Sequence, residues 1–136
     1  MPYRRPGWPL TNGHIVRSNM EAALCEYLSK AHRPHVHRTV SFDVPIGHDQ
    51  FALYVPSIIL TASRKDDREI VIEPVDSARP GGGVRRLQGF RRQSGDKYFV
   101  IVVARRALRP QLPENAYNLL FPLEDFQPLD DFLHQL

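Results

Sequence analysis

The sequence predicts a single α/β domain in which a mixed central sheet is flanked by helices. Three observations predict it. Leu53 to Leu60 and Ile70 to Val75 are apolar runs rich in Ile and Val, split by the charged turn Arg64-Lys65-Asp66-Asp67-Arg68, and they read as a buried β-hairpin. Tyr98 to Ala104 is apolar without alternation, the pattern of a central strand covered on both faces. Apolar residues recur at helical spacing before the hairpin, between the hairpin and the central strand, and at the C-terminus.

Composition narrows the class. A chain of 136 residues with 42% hydrophobic residues is sized for one domain with a real core, and is too apolar for disorder. No run approaches a membrane span and no signal-peptide pattern opens the chain, so a cytoplasmic protein is expected. The single Cys25 excludes an internal disulfide, fits a reducing compartment, and reads as an inert core thiol on a helix flank. Lys and Arg total 18 against 15 acids, a net charge of +3, but the charges are unevenly placed. Arginines pair at Arg4-Arg5, Arg85-Arg86, Arg91-Arg92 and Arg105-Arg106, while acids gather at Asp66-Asp67 and at Glu124, Asp125, Asp130 and Asp131. Arginine pairs suit phosphate oxygens, which places nucleic acid ahead of an acidic protein as partner.

In chain order, residues 1–17 carry Pro2, Pro6, Gly7 and Pro9 and read as an irregular arm, with residues 18–136 forming the domain. Trp8 favours an arm that docks. A helix follows from about Ser18 to Ala31, opened by the S-x-x-E spacing of a capping box, with Leu24, Tyr27, Leu28 and Ala31 as its apolar stripe. Glu21 shares the inward face. Its spacing favours a cap carboxylate bonded to the Ser18 backbone, and the sharper alternative is an acid aimed from the first helix into a site. Val36, Val40, Phe42 and Val44 alternate with polar residues as a half-exposed strand. His32, His35 and His37 lack Cys or carboxylate partners at ligand spacing, so they read as a solvated cluster rather than a metal site. After the hairpin, Ser77 to Gly83 is a flexible loop whose glycines precede no Gly-Lys-Ser/Thr and form no P-loop. Val84 to Ser94 is a helix with Val84, Leu87 and Phe90 inward, stopped at Gly95. Residues 107–116 form a Pro-broken loop, Tyr117 to Phe121 a short strand, and Leu129, Phe132, Leu133 and Leu136 mark a terminal helix. The predicted order is α-β-β-β-α-β-β-α.

That order is the order of the PD-(D/E)XK nuclease core, with its restriction-endonuclease-like mixed sheet. In detail the chain resembles the archaeal Holliday junction resolvases over about residues 15 to 126. Arg17-Ser18-Asn19-Met20-Glu21 is similar to the family's R/K-x-S-x-x-E helix start, Pro56-Ser57-Ile58-Ile59 to its P-D-I-I/V, and Val71-Ile72-Glu73-Pro74-Val75 to its V-I-E-x-K. Leu87-Gln88-Gly89-Phe90 onward to Gly95 is similar to the following L-x-x-F helix, and Leu123-Glu124-Asp125 to the close of the last strand.

The resemblance implies carboxylates collected around Mg²⁺ or Mn²⁺, with a Lys beside the attacking water. The family-equivalent catalytic positions here are Glu21, Ser57, Glu73 and Val75. Ser57 stands where the family has its metal-binding Asp and Val75 where it has its Lys, while Pro74 removes a strand N–H. Only Glu21 and Glu73 remain to hold a metal, weakly if at all. Asp76 faces away from Glu73 in regular alternation, and Gln88 and Arg92 are further substitutes to test. The implied function is a DNA-binding, resolvase-like protein that has lost, or nearly lost, nuclease activity. Arg85, Arg86, Arg91, Arg92, Arg105 and Arg106 are its expected phosphate contacts. The alternatives are a divergent active metal-dependent endonuclease and a non-catalytic protein-interaction scaffold. The resemblance also implies a two-fold homodimer, for which Trp8, Leu119, Phe121, Phe126 and Phe132 supply apolar residues beyond the needs of a small core.

Overall fold

A computed structural model describes residues 7–79 and 83–136. The Arg4-Arg5 pair and the centre of the glycine-rich loop therefore lie outside the described residues. The remainder of the arm is not irregular throughout. Strands β1 (Trp8–Pro9) and β2 (Ile15–Val16) pair antiparallel around a turn closed by the Gly13 N–H donating to Leu10 O at 2.9 Å. Gly13 sits at φ +86°, where a side chain would be strained.

Helix α1 (Asn19–Lys30) begins where the Ser18 hydroxyl accepts from the Glu21 N–H at 3.0 Å. Its buried face is Glu21, Leu24, Cys25 and Leu28, spaced i, i+3, i+4, i+7. Cys25 thus replaces Tyr27 and Ala31 in the predicted stripe, since both are only partly buried.

The single strand predicted through residues 36–44 is two strands in different sheets. β3 (His35–Val36) belongs to the main sheet, whereas β4 (Phe42–Gly47) pairs with β5 (Gln50–Tyr54) as a separate ribbon. Arg38, at φ 51°, breaks the extended chain between them. The predicted run from Leu53 to Leu60 is likewise interrupted at Val55-Pro56-Ser57, because Pro56 has no N–H to give a ladder. The hairpin proper is β6 (Ile58–Lys65) with β7 (Arg68–Pro74). Its turn residues Asp66 and Asp67 have φ 52° and 62°, the left-handed pair that a two-residue type I′ turn requires.

Helix α2 (Val84–Ser94) crosses over to β8 (Tyr98–Ala104), which runs parallel to β7, and β9 (Leu119–Pro122) lies parallel on the far side of β8. Two 3₁₀ turns (Arg106–Gln111 and Glu114–Ala116) fill the loop before β9. Helix α3 (Gln127–His134) closes the chain. The main sheet is five-stranded and mixed, in the order β3-β6-β7-β8-β9. Five strands, not three, precede α2 within the domain, the extra pair being the β4–β5 ribbon.

Period-two alternation divides the core. Val71, Val75, Val100, Val102 and Ala104 join Leu87 and Phe90 of α2 on one face, while Ile70, Ile72, Ile101 and Val103 join Leu24 and Leu28 of α1 and Leu129 and Leu133 of α3 on the other. Both faces are covered, which is why β7 and β8 read as unbroken apolar runs. Leu119, Phe121, Phe126 and Phe132 pack against the second cluster, with the Phe99 and Phe132 rings 5.7 Å apart, so they are not a surplus for a dimer.

Candidate metal centre and the acidic cleft beside it

The arm, α1 and β3 bring four ligand-type side chains together. His14 comes from the arm hairpin, Cys25 from the buried face of α1, and His35 and His37 from β3 and the residues after it. One donor atom from each lies within 4.8 Å of all the others, and the group can hold a metal ion. Cys25 Sγ is 3.4 Å from His14 Nδ1, 3.3 Å from His35 Nε2 and 3.3 Å from His37 Nε2, and His37 Nε2 is 3.1 Å from His14 Nδ1. Cys25 and His35 are buried, and the other two are partly so.

Both β3-side imidazoles are fixed from behind. His35 Nδ1 is 2.9 Å from the Arg33 carbonyl, which only accepts, so that nitrogen carries the proton and Nε2 presents its lone pair to the cluster. His37 Nδ1 is 2.8 Å from Glu21 Oε2, which turns its Nε2 inward in the same way. Asn12 Nδ2 donates to Cys25 Sγ at 3.4 Å and to Ser29 Oγ at 2.8 Å, and its Oδ1 accepts from the His14 N–H at 2.9 Å, so one side chain positions two cluster members. Burial, reinforced by His37, lowers the His14 pKa, and burial lowers that of His35 despite the Arg33 carbonyl. Burial pushes the Cys25 thiol up.

The expected solvated trio is therefore corrected. His32 is exposed and outside the cluster, while His35 and His37 are joined by His14 and by Cys25. Nor is Cys25 an isolated core thiol. A reading confined to neighbouring residues missed the cluster. The available signals were the His-x-His pair, whose members share one side of an extended chain, and a Cys one turn beyond the buried Glu21 on α1.

Glu21 links this cluster to a cleft that it lines together with Ser57. Its carboxylate does not reach the Ser18 N–H as the capping reading expected. It accepts from the Arg17 N–H at 3.3 Å, and Arg38 grips it with both terminal nitrogens at 2.7 and 2.6 Å. Burial alone would raise this carboxyl, but the hydrogen bonds from His37 and Arg38 outweigh it and hold the carboxyl below its ordinary value. Arg17, Glu21, Arg38, Ser57, Pro74 and Asp76 are among the residues lining a cleft of about 260 Å³.

Glu73 lies behind Ser57. The Tyr54 hydroxyl donates to Glu73 Oε1 at 2.7 Å, the Ser57 N–H donates to the same oxygen at 3.1 Å, and the Ser57 hydroxyl donates to Oε2. All three donors are neutral. Burial pushes the Glu73 carboxyl above its ordinary value, against the pull of those donors and with help from nearby Glu21. Val75 is 4% exposed and packs in the core against α2, away from the Glu21–Ser57 cleft. Asp76 does reach that cleft, because β7 ends at Pro74 and regular alternation ends with it. Gln88 and Arg92 do not line it. Gln88 donates to Asn115 at 2.8 Å and Arg92 to the Pro45 carbonyl at 3.2 Å.

Of the arginines expected to meet phosphate, Arg85, Arg86, Arg92 and Arg105 are exposed. Arg91 is partly buried and lies 3.5 Å from the Glu114 carbonyl, and burial lowers its pKa. Arg106 faces Asp125 at 3.9 Å. Among the described residues no helix is long and apolar enough to cross a membrane. No protein-family model matches the chain, and no curated protein or solved structure matches it at a significant level.

Proposed function

We propose that this chain is a nucleic-acid-binding protein built on a nuclease-like core that no longer cleaves. With the β4–β5 ribbon set aside as an insertion, the elements run helix α1, strands β3, β6 and β7, helix α2, strands β8 and β9, helix α3. That is the order implied by the resemblance to the resolvases. Support comes from Glu21 and Ser57, which line one cleft, and from Glu73, which bonds to Ser57 behind it.

The observation that carries the non-cleaving reading is the state of the two carboxylates. Glu21 is neutralised by the bidentate Arg38, and both oxygens of Glu73 are taken by the neutral donors of Tyr54 and Ser57. A hard dication needs anionic oxygens that are free to turn toward it. Here the Asp is Ser57, the Lys is a buried Val75, and Arg38 already occupies the place of the cation. Beside the Arg38–Glu21 pair, Arg17 adds a cation at the cleft mouth that could meet a phosphate. Arg85, Arg86, Arg92 and Arg105 extend the cationic surface.

The test is a binding and cleavage assay on duplex and four-way-junction DNA. Binding should fall steeply with salt, and each Arg→Ala change at a true contact should flatten the salt slope by about one unit. No Mg²⁺- or Mn²⁺-dependent cleavage should appear, with Glu73→Ala as the control for contamination. Absence of binding at low salt would leave the protein-interaction reading in its place. Asp76 at the cleft supports the second reading, an active nuclease with a relocated acid. Cleavage abolished by Asp76→Asn would establish that one instead.

A further inference from the structure

We propose that His14, Cys25, His35 and His37 form a closed tetrahedral Zn²⁺ site that staples the arm and β3 to α1. The inference is independent of any DNA contact and stands or falls without it. Zinc bonds of about 2.0–2.1 Å to nitrogen and about 2.3 Å to sulfur, at the tetrahedral angle, place donors roughly 3.3–3.6 Å apart. Four of the six separations in the cluster are 3.1, 3.3, 3.3 and 3.4 Å, and all six lie within 4.8 Å, a spread that a bound ion would draw in.

The tautomers agree with this. The Arg33 carbonyl and the Glu21 carboxylate impose on His35 and His37 the protonation that a metal needs, with Nδ1–H outward and the Nε2 lone pair inward. Two lone pairs then converge on one sulfur, and a single S–H can satisfy only one of them. A metal accepts both, together with the thiolate and His14.

The outer partners have the form that metal sites use. A carboxylate backs His37, a main-chain carbonyl backs His35, and an amide N–H reaches the sulfur from Asn12. Arg38 in turn holds the carboxylate. Glu21 is the acid that the resemblance would give to a catalytic Mg²⁺. In this chain it orients a ligand of a different metal one shell away.

Three imidazoles and one thiolate in tetrahedral array suit Zn²⁺ rather than Mg²⁺ or Ca²⁺, which take oxygen, or Cu²⁺, which prefers tetragonal geometry. Four protein ligands leave no open position, so the role is structural. A Cys–His nucleophile is the competing reading of the same residues. Cys25 is 0% exposed and no substrate atom can approach it.

The test uses the full chain, produced without a metal-affinity tag and purified without chelator. Metal analysis and native mass spectrometry should find about one zinc per chain. Cobalt exchanged into the site should show the intense ligand-field absorption of a tetrahedral centre and a thiolate-to-cobalt charge-transfer band. Zinc K-edge absorption should fit one sulfur and three nitrogen neighbours. Cys25→Ser should abolish the charge-transfer band, and His32→Ala should leave metal content unchanged. Chelation should lower the melting temperature of the wild type, and added zinc should restore it. The wild-type cobalt and edge spectra decide the matter even if Cys25→Ser fails to fold. A chain that purifies without metal and takes up neither zinc nor cobalt overturns the proposal, as does a cobalt spectrum without a sulfur band.

Discussion

Glu73 is a carboxyl whose hydrogen-bond partners are all neutral. Burial raises its pKa in the folded chain, so the folded state binds this proton more tightly than the unfolded state does. Its contribution to stability is therefore greatest at acid pH. That contribution declines as pH climbs from the ordinary carboxylate range through the raised value, and then levels. Glu73→Gln keeps the shape, and an amide can accept from Tyr54 and the Ser57 N–H while donating to the Ser57 oxygen. The variant should be more stable than the wild type at neutral pH, with the difference vanishing toward acid. Urea unfolding across pH checks this, and a difference independent of pH would refute it. Arg38 poses the opposite case. It holds Glu21, which is 2% exposed. Arg38→Ala strands that buried charge and should cost about 3–5 kcal/mol, with part recovered when Glu21→Gln is added. A loss below about 1 kcal/mol would mean the pair behaves as a surface contact.

At the scale of elements, α2 approaches the β4–β5 ribbon so closely that only glycine fits between them. A Cβ on Gly89 would stand 1.9 Å from the Pro45 carbonyl oxygen. In an open helix Gly→Ala gains up to about 1 kcal/mol. Gly89→Ala should instead lose about 1–3 kcal/mol by overpacking, with faster hydrogen exchange through residues 42–54 as the ribbon lifts. The β6–β7 turn offers the reverse sign. Asp67 pays for φ 62° with a side chain, and Asp67→Gly should stabilise by a few tenths to about 1 kcal/mol in thermal unfolding. These elements also show which features were legible in the sequence. The Ser18 cap, α2 with its Gly95 stop and β8 are written in contiguous residues and match the sequence reading within a residue or two, whereas the charged turn read over Arg64 to Arg68 narrows to Asp66-Asp67 because β6 runs on to Lys65. The split of residues 36–44 was not, because Arg38 breaks the strand by contacting Glu21, a residue of another element. The metal cluster was missed for the same reason. Its members are separated by 11, 10 and 2 residues and meet only after a hairpin, a helix and a strand have folded.

For the molecule as a whole, Leu119, Phe121, Phe126 and Phe132, four of the five residues that suggested a homodimer, pack against its own second core cluster. Among the described residues the most exposed large hydrophobics are elsewhere, Phe51 at 67%, Ile15 at 58% and Leu53 at 46%. If the chain pairs through an isologous contact, the ribbon is the surface to test. Light scattering should then give a mass that rises with concentration, and Phe51→Asp with Leu53→Asp should reduce it to the monomer. A wild-type mass fixed at the monomer value would end the dimer reading.

The order of the sheet carries a consequence for how the protein is made. Along β3-β6-β7-β8-β9 each strand lies beside the one that precedes it in the sheet's own chain order, so no strand must wedge between two already joined. Synthesis delivers the N-terminal end first, at about 5–20 residues per second. The sheet can therefore lengthen at one rim while the rest of the chain is still inside the ribosome. β8, the most apolar rim, stays bare from its emergence until β9 arrives. Chains truncated between residues 105 and 118 and released should aggregate, and force profiles on the ribosome should rise stepwise at the exit of β7, β8 and β9.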